Sequence, residues 1–198
     1  MAGLPCTFIR LAGCPLNCVY CDTPQAIPFD SGATQPLDEI LFEIQKHKTP
    51  IVLVTGGEPL AQKNCHALLS ALLPLYEHVQ LETAGVYDIS NIPEQVAVIL
   101  DIKTPGSGES KRNRWENMAF LRSNTEIKFV LTSRDDYVWA KGIMAEYSLA
   151  EKCNVLMSCT WGELKPKDLA GWIVEDQLPA RLQLQLHKYI WGSEVTGV

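Results

Sequence analysis

A chain of 198 residues, 46% hydrophobic and 20% charged, carries enough apolar material for one substantial core. Its net charge of −6 argues against a nucleic-acid-binding surface, and no apolar run is long enough to span a bilayer. Seven cysteines, an odd number, with no export signal point to a reducing compartment and not to a disulfide framework. The expectation is a single cytoplasmic domain over residues 1–198, without internal repeats.

The first predicted strand feeds residues 8–23, FIRLAGCPLNCVYCDT. It is short and apolar, turns at Gly13, then presents Cys14, Cys18 and Cys21 in a C-x3-C-x2-C spacing. Three thiols this close on one loop can serve one centre, and thiolates select zinc, copper(I) or iron–sulfur clusters. A structural zinc site normally takes four protein ligands. No second C-x2-C exists, but Asp22 stands ready as a fourth ligand, so zinc remains an alternative. Cys65, Cys153 and Cys159 fall within apolar helix or strand patterns and read as small core residues.

Further along, Pro36 occupies a first helical position with Asp38 and Glu39 in the first turn. Leu37, Ile40, Leu41 and Ile44 then share one helical face. IVLVT at 51–55 reads as a strand covered on both faces. Gly56, Gly57, Glu58 and Pro59 break it, and an Ala/Leu-rich helix follows to about Leu73. Glycines at a strand's C-terminal end permit close approach to a ligand, although most such turns only reverse the chain.

More strands are predicted at 79–82, 96–102, 126–131, 154–158 and 181–187, with helices near 115–122, 134–147 and 167–176. Ser133 and Asp136 resemble a capping box. The crossover after Glu82 lacks a helical signal and reads as short or irregular. Repeated β-α units imply a parallel sheet with helices outside: a doubly wound sheet or an open barrel of about six units. RLQLQLH at 181–187 puts Leu182, Leu184 and Leu186 on one face and Gln183, Gln185 and His187 on the other. That pattern suits a solvated edge strand as well as a barrel strand with a polar inner face. Lys128 and Glu82 point inward in the barrel arrangement.

The cysteine spacing, followed about one β-α unit later by Thr55-Gly56-Gly57-Glu58-Pro59, resembles the radical S-adenosylmethionine (SAM) superfamily. Phe8-Ile9-Arg10-Leu11, Gly13-Cys14, Cys21-Asp22-Thr23 and Leu81-Glu82-Thr83 narrow the likeness to the 7-carboxy-7-deazaguanine synthases. So do the run from Asp101 to Glu109 (DIKTPGSGE) and Gln185-Leu186-His187-Lys188-Tyr189. The resemblance covers essentially the whole chain and favours the open, incomplete β/α barrel.

It implies a [4Fe–4S] cluster on Cys14, Cys18 and Cys21, whose fourth iron chelates the amino and carboxylate groups of SAM. Gly57 and Glu58 would contact SAM, as would Asp101, Ile102, Lys103 and Ser158, in a 158–161 segment where Cys159 replaces an expected proline. Arg10 would grip the substrate carboxylate, Thr23 would help hold Mg2+, and Thr55 and His187 would face substrate. A lone histidine on such a strand is equally often structural. The implied reaction converts 6-carboxy-5,6,7,8-tetrahydropterin to 7-carboxy-7-deazaguanine on the queuosine route, with ammonia lost and SAM regenerated. A homodimer is implied too. The basic run Lys111, Arg112 and Arg114 is a candidate dock for flavodoxin or another acidic reductant. The family also has a Gln-Gly-Glu-Gly turn ahead of Arg10's strand, whereas this chain starts at Met1-Ala2-Gly3; a weaker grip on the pterin is therefore expected. Two other readings compete: an activase that makes a glycyl radical on a protein partner, and a non-catalytic metal-binding module.

Overall fold

The computed structural model describes Met1 and residues 3–195. Seven parallel strands form one sheet in the order of the chain: β1 (Cys6–Leu11), β2 (Ile51–Gly56), β3 (His78–Thr83), β4 (Ala97–Ile102), β5 (Glu126–Leu131), β6 (Asn154–Cys159) and β7 (Arg181–Gln183). A doubly wound sheet reverses its strand order midway. This one never does, so every crossover falls on the same face and the sheet curls into an open barrel. β1 and β7 stand at its two edges.

Register separates the two faces. Ile9, Val54 and Leu81 are aligned across β1 to β3, and Leu81, Val98 and Leu100 continue the same outward-facing rows. These residues join one core with the helices α2 (Cys65–Leu72), α3 (Arg134–Glu146) and α5 (Pro166–Glu175). The alternate residues line the inner face. Arg10 pairs with Thr55, Asp101 with Lys128, and Ser158 with Gln183. Apolar burial on the outer face holds the barrel together, and polar residues occupy the inner face, where a ligand would sit.

Several local expectations change. Pro36 is the cap of α1 (Leu37–Ile44) and not its first residue; of the predicted apolar face only Ile44 is fully buried, while Leu37 is largely exposed. The segment after β2 is a 3-10 turn, Pro59–Ala61, before α2 begins. The predicted helix near 115–122 is a 3-10 segment, Trp115–Phe120. The β3–β4 crossover has no helix, and buried Asn117 organises it. Its amide nitrogen donates to Gly85 O and Tyr87 O at 2.9 Å each, and its oxygen accepts from Ile89 N.

Ser133 caps α3 as expected, accepting from Asp136 N at 3.3 Å. The Asp136 carboxylate does not reach back to the cap; it accepts from Thr132 N and from Gly106 N in the loop after β4. A short α4 (Leu149–Lys152) precedes β6.

The last predicted strand is the largest correction. β7 spans only Arg181–Gln183, and Leu186–Ile190 form a helix, α6, that contains His187. Leu182 and Ser158's partner Gln183 are the last residues in register with β6, which itself ends at Cys159. Beyond that point no neighbouring strand offers backbone partners, so the chain satisfies its own groups in a helical turn. Among the described residues no helix is long and apolar enough to cross a membrane.

Leu100 tests the outer core because it lies fully buried at the centre of the sheet. Leu100→Ala is expected to lower unfolding free energy by about 3 to 4 kcal/mol, seen in urea as a lower midpoint with an unchanged slope.

Candidate active site

The C-terminal ends of β1 and β2 are joined first through the backbone. Gly57 N donates to Leu11 O at 2.9 Å, Glu58 N donates to Gly13 O at 2.8 Å, and Gln62 Nε2 donates to Ala12 O at 2.6 Å. A Cβ on Gly57 would sit 2.5 Å from Gly13 O and 2.6 Å from Ala26 O, so only glycine allows this approach. Both amides of the turn are thereby consumed. The Gly57 carbonyl accepts no hydrogen bond among the described residues, leaving an acceptor at the strand tip.

Glu58 has no exposed surface. Its carboxylate accepts from Thr83 Oγ1 at 2.7 Å, Leu60 N at 3.0 Å and Ala84 N at 2.7 Å. Burial pushes its pKa up against these donors. With its side chain committed to β3 and the turn, any ligand contact from Glu58 must come from its backbone.

The cysteine loop leaves β1 with Gly13 N bonded to Ala26 O and Cys14 N to Ile27 O, both at 2.9 Å. Its far side rests on the loop after β4. Val19 N donates to Ser107 O at 3.1 Å, and Asn17 N donates to Glu109 Oε1 at 2.7 Å. Cys14, Cys18 and Cys21 are half-buried free thiols. Burial pushes the Cys14 thiol up and the Cys18 thiol to about 11, with Lys103 pulling the other way.

Among the described residues no three His, Cys, Asp or Glu side chains converge tightly enough to hold a single metal ion. A mononuclear zinc site on this loop is therefore not supported. An iron–sulfur cluster takes each thiolate on a separate iron and needs them spread around a larger body. Three free thiols and a cationic neighbour, with no fourth protein ligand among the described residues, fit a cluster with one open iron.

Inside the barrel two ion pairs lie side by side. Lys128 Nζ meets Glu82 Oε1 at 2.6 Å, and Lys103 Nζ meets Asp101 Oδ2 at 3.0 Å. Burial opposes charge on Glu82, Lys128 and Lys103, but the ion-pair partners more than offset it. Glu82 is held below the ordinary glutamate range by Lys128, while Lys128 and Lys103 stay above the ordinary lysine range beside their carboxylates. Asp101, 9% exposed, leaves Oδ1 without a hydrogen-bond partner among the described residues. A buried acceptor of this kind awaits a donor. Ile102, by contrast, turns its side chain into the outer core.

Arg10 and Thr23, given separate roles by the resemblance, are in contact. Arg10 Nη1 donates to Thr23 Oγ1 at 3.3 Å and to Gly56 O at 3.5 Å. Thr55, buried, is Arg10's register partner on β2. Ser158 is buried at the tip of β6. Beside it opens a cavity of about 310 Å3, lined by Thr160, Trp161, Leu164, Gln183, Leu184 and Tyr189 among others. Thr160 Oγ1 and Gln183 Oε1 are buried there without partners among the described residues. His187 sits on α6, half-buried, and no hydrogen bond joins it to Arg10 or Thr23. Three residues that brace the site are given no role by the sequence: Glu109 under the cysteine loop, Asn117 in the β3–β4 crossover, and Gln185, which bonds Asp22.

A one-directional parallel barrel with three thiols at the tip of its first strand defines a class, and residues 8–105 match the Radical SAM superfamily. The 7-carboxy-7-deazaguanine synthase of Chlorobaculum tepidum is 42% identical over 200 residues, covering 100% of this chain and 90% of the relative. That of Koribacter versatilis is 37% identical, covering 99% and 92%. The crystal structure of QueE from Escherichia coli superposes with a TM-score of 0.71 at 20% identity, over 92% of this chain and 86% of that one. Streptococcus suis SuiB bound to S-adenosylmethionine shares the fold at a TM-score of 0.64, with 14% identity, over 94% of this chain and 52% of that one. The chain belongs to the 7-carboxy-7-deazaguanine synthase family.

Lys128→Met leaves Glu82 as an unpaired inner-face carboxylate. The expected cost at pH 7 is about 2 to 3 kcal/mol, below the cost for a fully dry pair because both groups retain some exposure. Glu82's lowered pKa means that its stabilising share is present above the ordinary value of 4.5 and is lost as pH falls through the folded value. The deficit of the variant should therefore shrink in urea titrations carried below that pH.

Proposed function

We propose that this protein converts 6-carboxy-5,6,7,8-tetrahydropterin to 7-carboxy-7-deazaguanine with loss of ammonia, as a cytoplasmic enzyme of deazapurine biosynthesis. The observation that carries the reading is the continuity of Cys21-Asp22-Thr23. It places the last thiol two residues from a hydroxyl that Arg10 already contacts at 3.3 Å. Cofactor chemistry and carboxylate recognition thus share one loop.

Cys14, Cys18 and Cys21 would hold the [4Fe–4S] cluster. When bound, the reduced cluster and SAM would supply one-electron radical chemistry. The protein positions the reactants and excludes competitors. The Gly57 carbonyl suits an ammonium such as the SAM amino group, and the neighbouring Glu58 backbone completes that turn. Asp101 Oδ1 offers an acceptor for ribose hydroxyls, held in place by Lys103, with the Ile102 backbone between them. The cavity beside Ser158, with orphaned Thr160 and Gln183 oxygens and an aromatic wall, suits the adenosyl moiety. Arg10 presents a guanidinium to the pterin carboxylate, with Thr55 beside it and His187 on the C-terminal side. The Thr23 hydroxyl oxygen is a hard ligand of the type Mg2+ takes.

No catalytic side chain is assigned, because the reacting radical comes from the cofactor. Reduction of the cluster requires a one-electron donor. The exposed basic residues Lys111, Arg112 and Arg114 follow directly on Glu109, which braces the cysteine loop. They suit an acidic donor such as flavodoxin. A homodimer is proposed from the family. Full-length likeness to synthases does not favour the activase alternative.

The decisive experiment is anaerobic cluster reconstitution followed by incubation with SAM, Mg2+, reductant and the carboxypterin. Mass detection of 7-carboxy-7-deazaguanine over many turnovers per cluster is the expected result. Formation of 5′-deoxyadenosine without that product would overturn the substrate and keep the reaction class. Absence of both would overturn the class. Cys18→Ser is expected to lose the cluster absorbance together with activity. Arg10→Ala should raise KM for the pterin by roughly tenfold to a hundredfold, the scale of one lost charge-assisted hydrogen bond.

A further inference from the structure

The sheet leaves its first and last strands unpaired with each other, and a relay of side chains spans that gap. Gln185 Nε2, just past β7, donates to Asp22 Oδ2 at 2.7 Å, joining residues 163 apart in sequence. Thr23 Oγ1 donates to Asp22 Oδ1 at 3.0 Å. Arg10 Nη1, on β1, donates to Thr23 Oγ1 at 3.3 Å. The Gln185 segment is also anchored beyond this bond. Tyr189 packs edge-on to Trp161 at 5.0 Å, and Lys188 Nζ lies 5.8 Å over the same ring.

The direction of every bond in the relay is determined. An ionised carboxylate only accepts, so Asp22 takes an amide hydrogen on one oxygen and the Thr23 hydroxyl hydrogen on the other. Thr23 must then offer a lone pair to Arg10. Without Gln185, Asp22 Oδ2 loses the donor it has here, and the Arg10 guanidinium stands one hydroxyl away, bonded to the same Thr23 Oγ1 that donates to Asp22. A carboxylate and a guanidinium pair with two charge-assisted bonds, which would outcompete the present single bond to a hydroxyl. Arg10 would then be occupied by its own protein.

We infer that Gln185 is a positioning residue: it latches the C-terminal segment to Asp22 and so keeps Arg10 free for an incoming carboxylate. The identity of that carboxylate rests on the function proposed above; the latch itself does not.

The test uses the full-length reconstituted protein and a reversal of bond polarity. Gln185→Glu sets two carboxylates against each other and breaks the bond. The double variant Asp22→Asn with Gln185→Glu has the same charge as Gln185→Glu minus one negative, and it restores the bond with the new asparagine amide donating and its oxygen still accepting from Thr23. Gln185→Ala removes the donor without repulsion and reports the same direction if Gln185→Glu folds poorly.

Two readouts are taken: amide hydrogen exchange over residues 18–24, and the split of KM against kcat for the carboxypterin. In Gln185→Glu, exchange over this loop and KM are each expected to rise by about tenfold, the scale of one broken bond, with iron content unchanged and kcat within about twofold. The double variant should return both to within about threefold of the parent, a rescue that a merely structural glutamine would not give. Unchanged exchange in Gln185→Glu, or a double variant no better than it, would overturn the latch. Turnover lacking in the parent itself would overturn the proposed substrate, and the exchange comparison would still decide the latch.

Discussion

Glu58, two residues past the end of the second strand, has no contact with solvent, yet it is an ionisable group, so the fold around it must provide what water would. Three donors do so: a hydroxyl from the end of β3, an amide from the start of the next loop, and an amide from its own turn. The same residue's backbone amide is bonded to Gly13 at the start of the cysteine loop. One residue thus fixes the tips of three neighbouring strands relative to one another. A buried carboxylate short of donors is costly, so losing any one of the three would loosen the arrangement. The thiols, the Gly57 carbonyl and the Arg10 side chain take their relative positions from it.

The inner face solves a related problem differently. A ligand with amino, carboxylate and hydroxyl groups demands polar walls, and polar walls in a narrow barrel threaten the fold. Glu82 with Lys128 and Asp101 with Lys103 cancel charge locally. The interior is therefore polar without a net charge from these four groups, and one acceptor, Asp101 Oδ1, is left over. The outer face carries the apolar packing, and alternation along each strand keeps the two tasks apart.

The sequence revealed much of this because parallel strands covered by helices read as apolar runs, and IVLVT is such a run. Cysteine spacing is equally local and equally legible. Errors arose where a distant neighbour decides the outcome. RLQLQLH alternates like a strand, but it stops being one where β6 runs out, and nothing within those seven residues records the length of β6. Resemblance implies a SAM contact for Glu58, but no local pattern records that its side chain is buried against Thr83 and Ala84. Asn117 stands in for a helix that the β3–β4 crossover lacks, and no local pattern marks a side chain that bonds three backbone groups some thirty residues earlier. Gln185 lay within a segment that was noticed, yet its partner is at the other end of the chain.

The supports of the cysteine loop also set an order of events during synthesis. Because each strand pairs with its predecessor, the sheet can grow from its N-terminal edge as the chain leaves the ribosome. The thiols emerge among the first residues, but Ser107 and Glu109 arrive some ninety residues later, and Gln185 only near the end. Until then the loop, held only at its base by Ala26, Ile27 and Glu58, lacks the supports of its far side, and its three thiols are open to oxidation and to any thiophilic metal. Maturation of the metal centre is consequently a late step, one that must wait for most of the polypeptide to be in place.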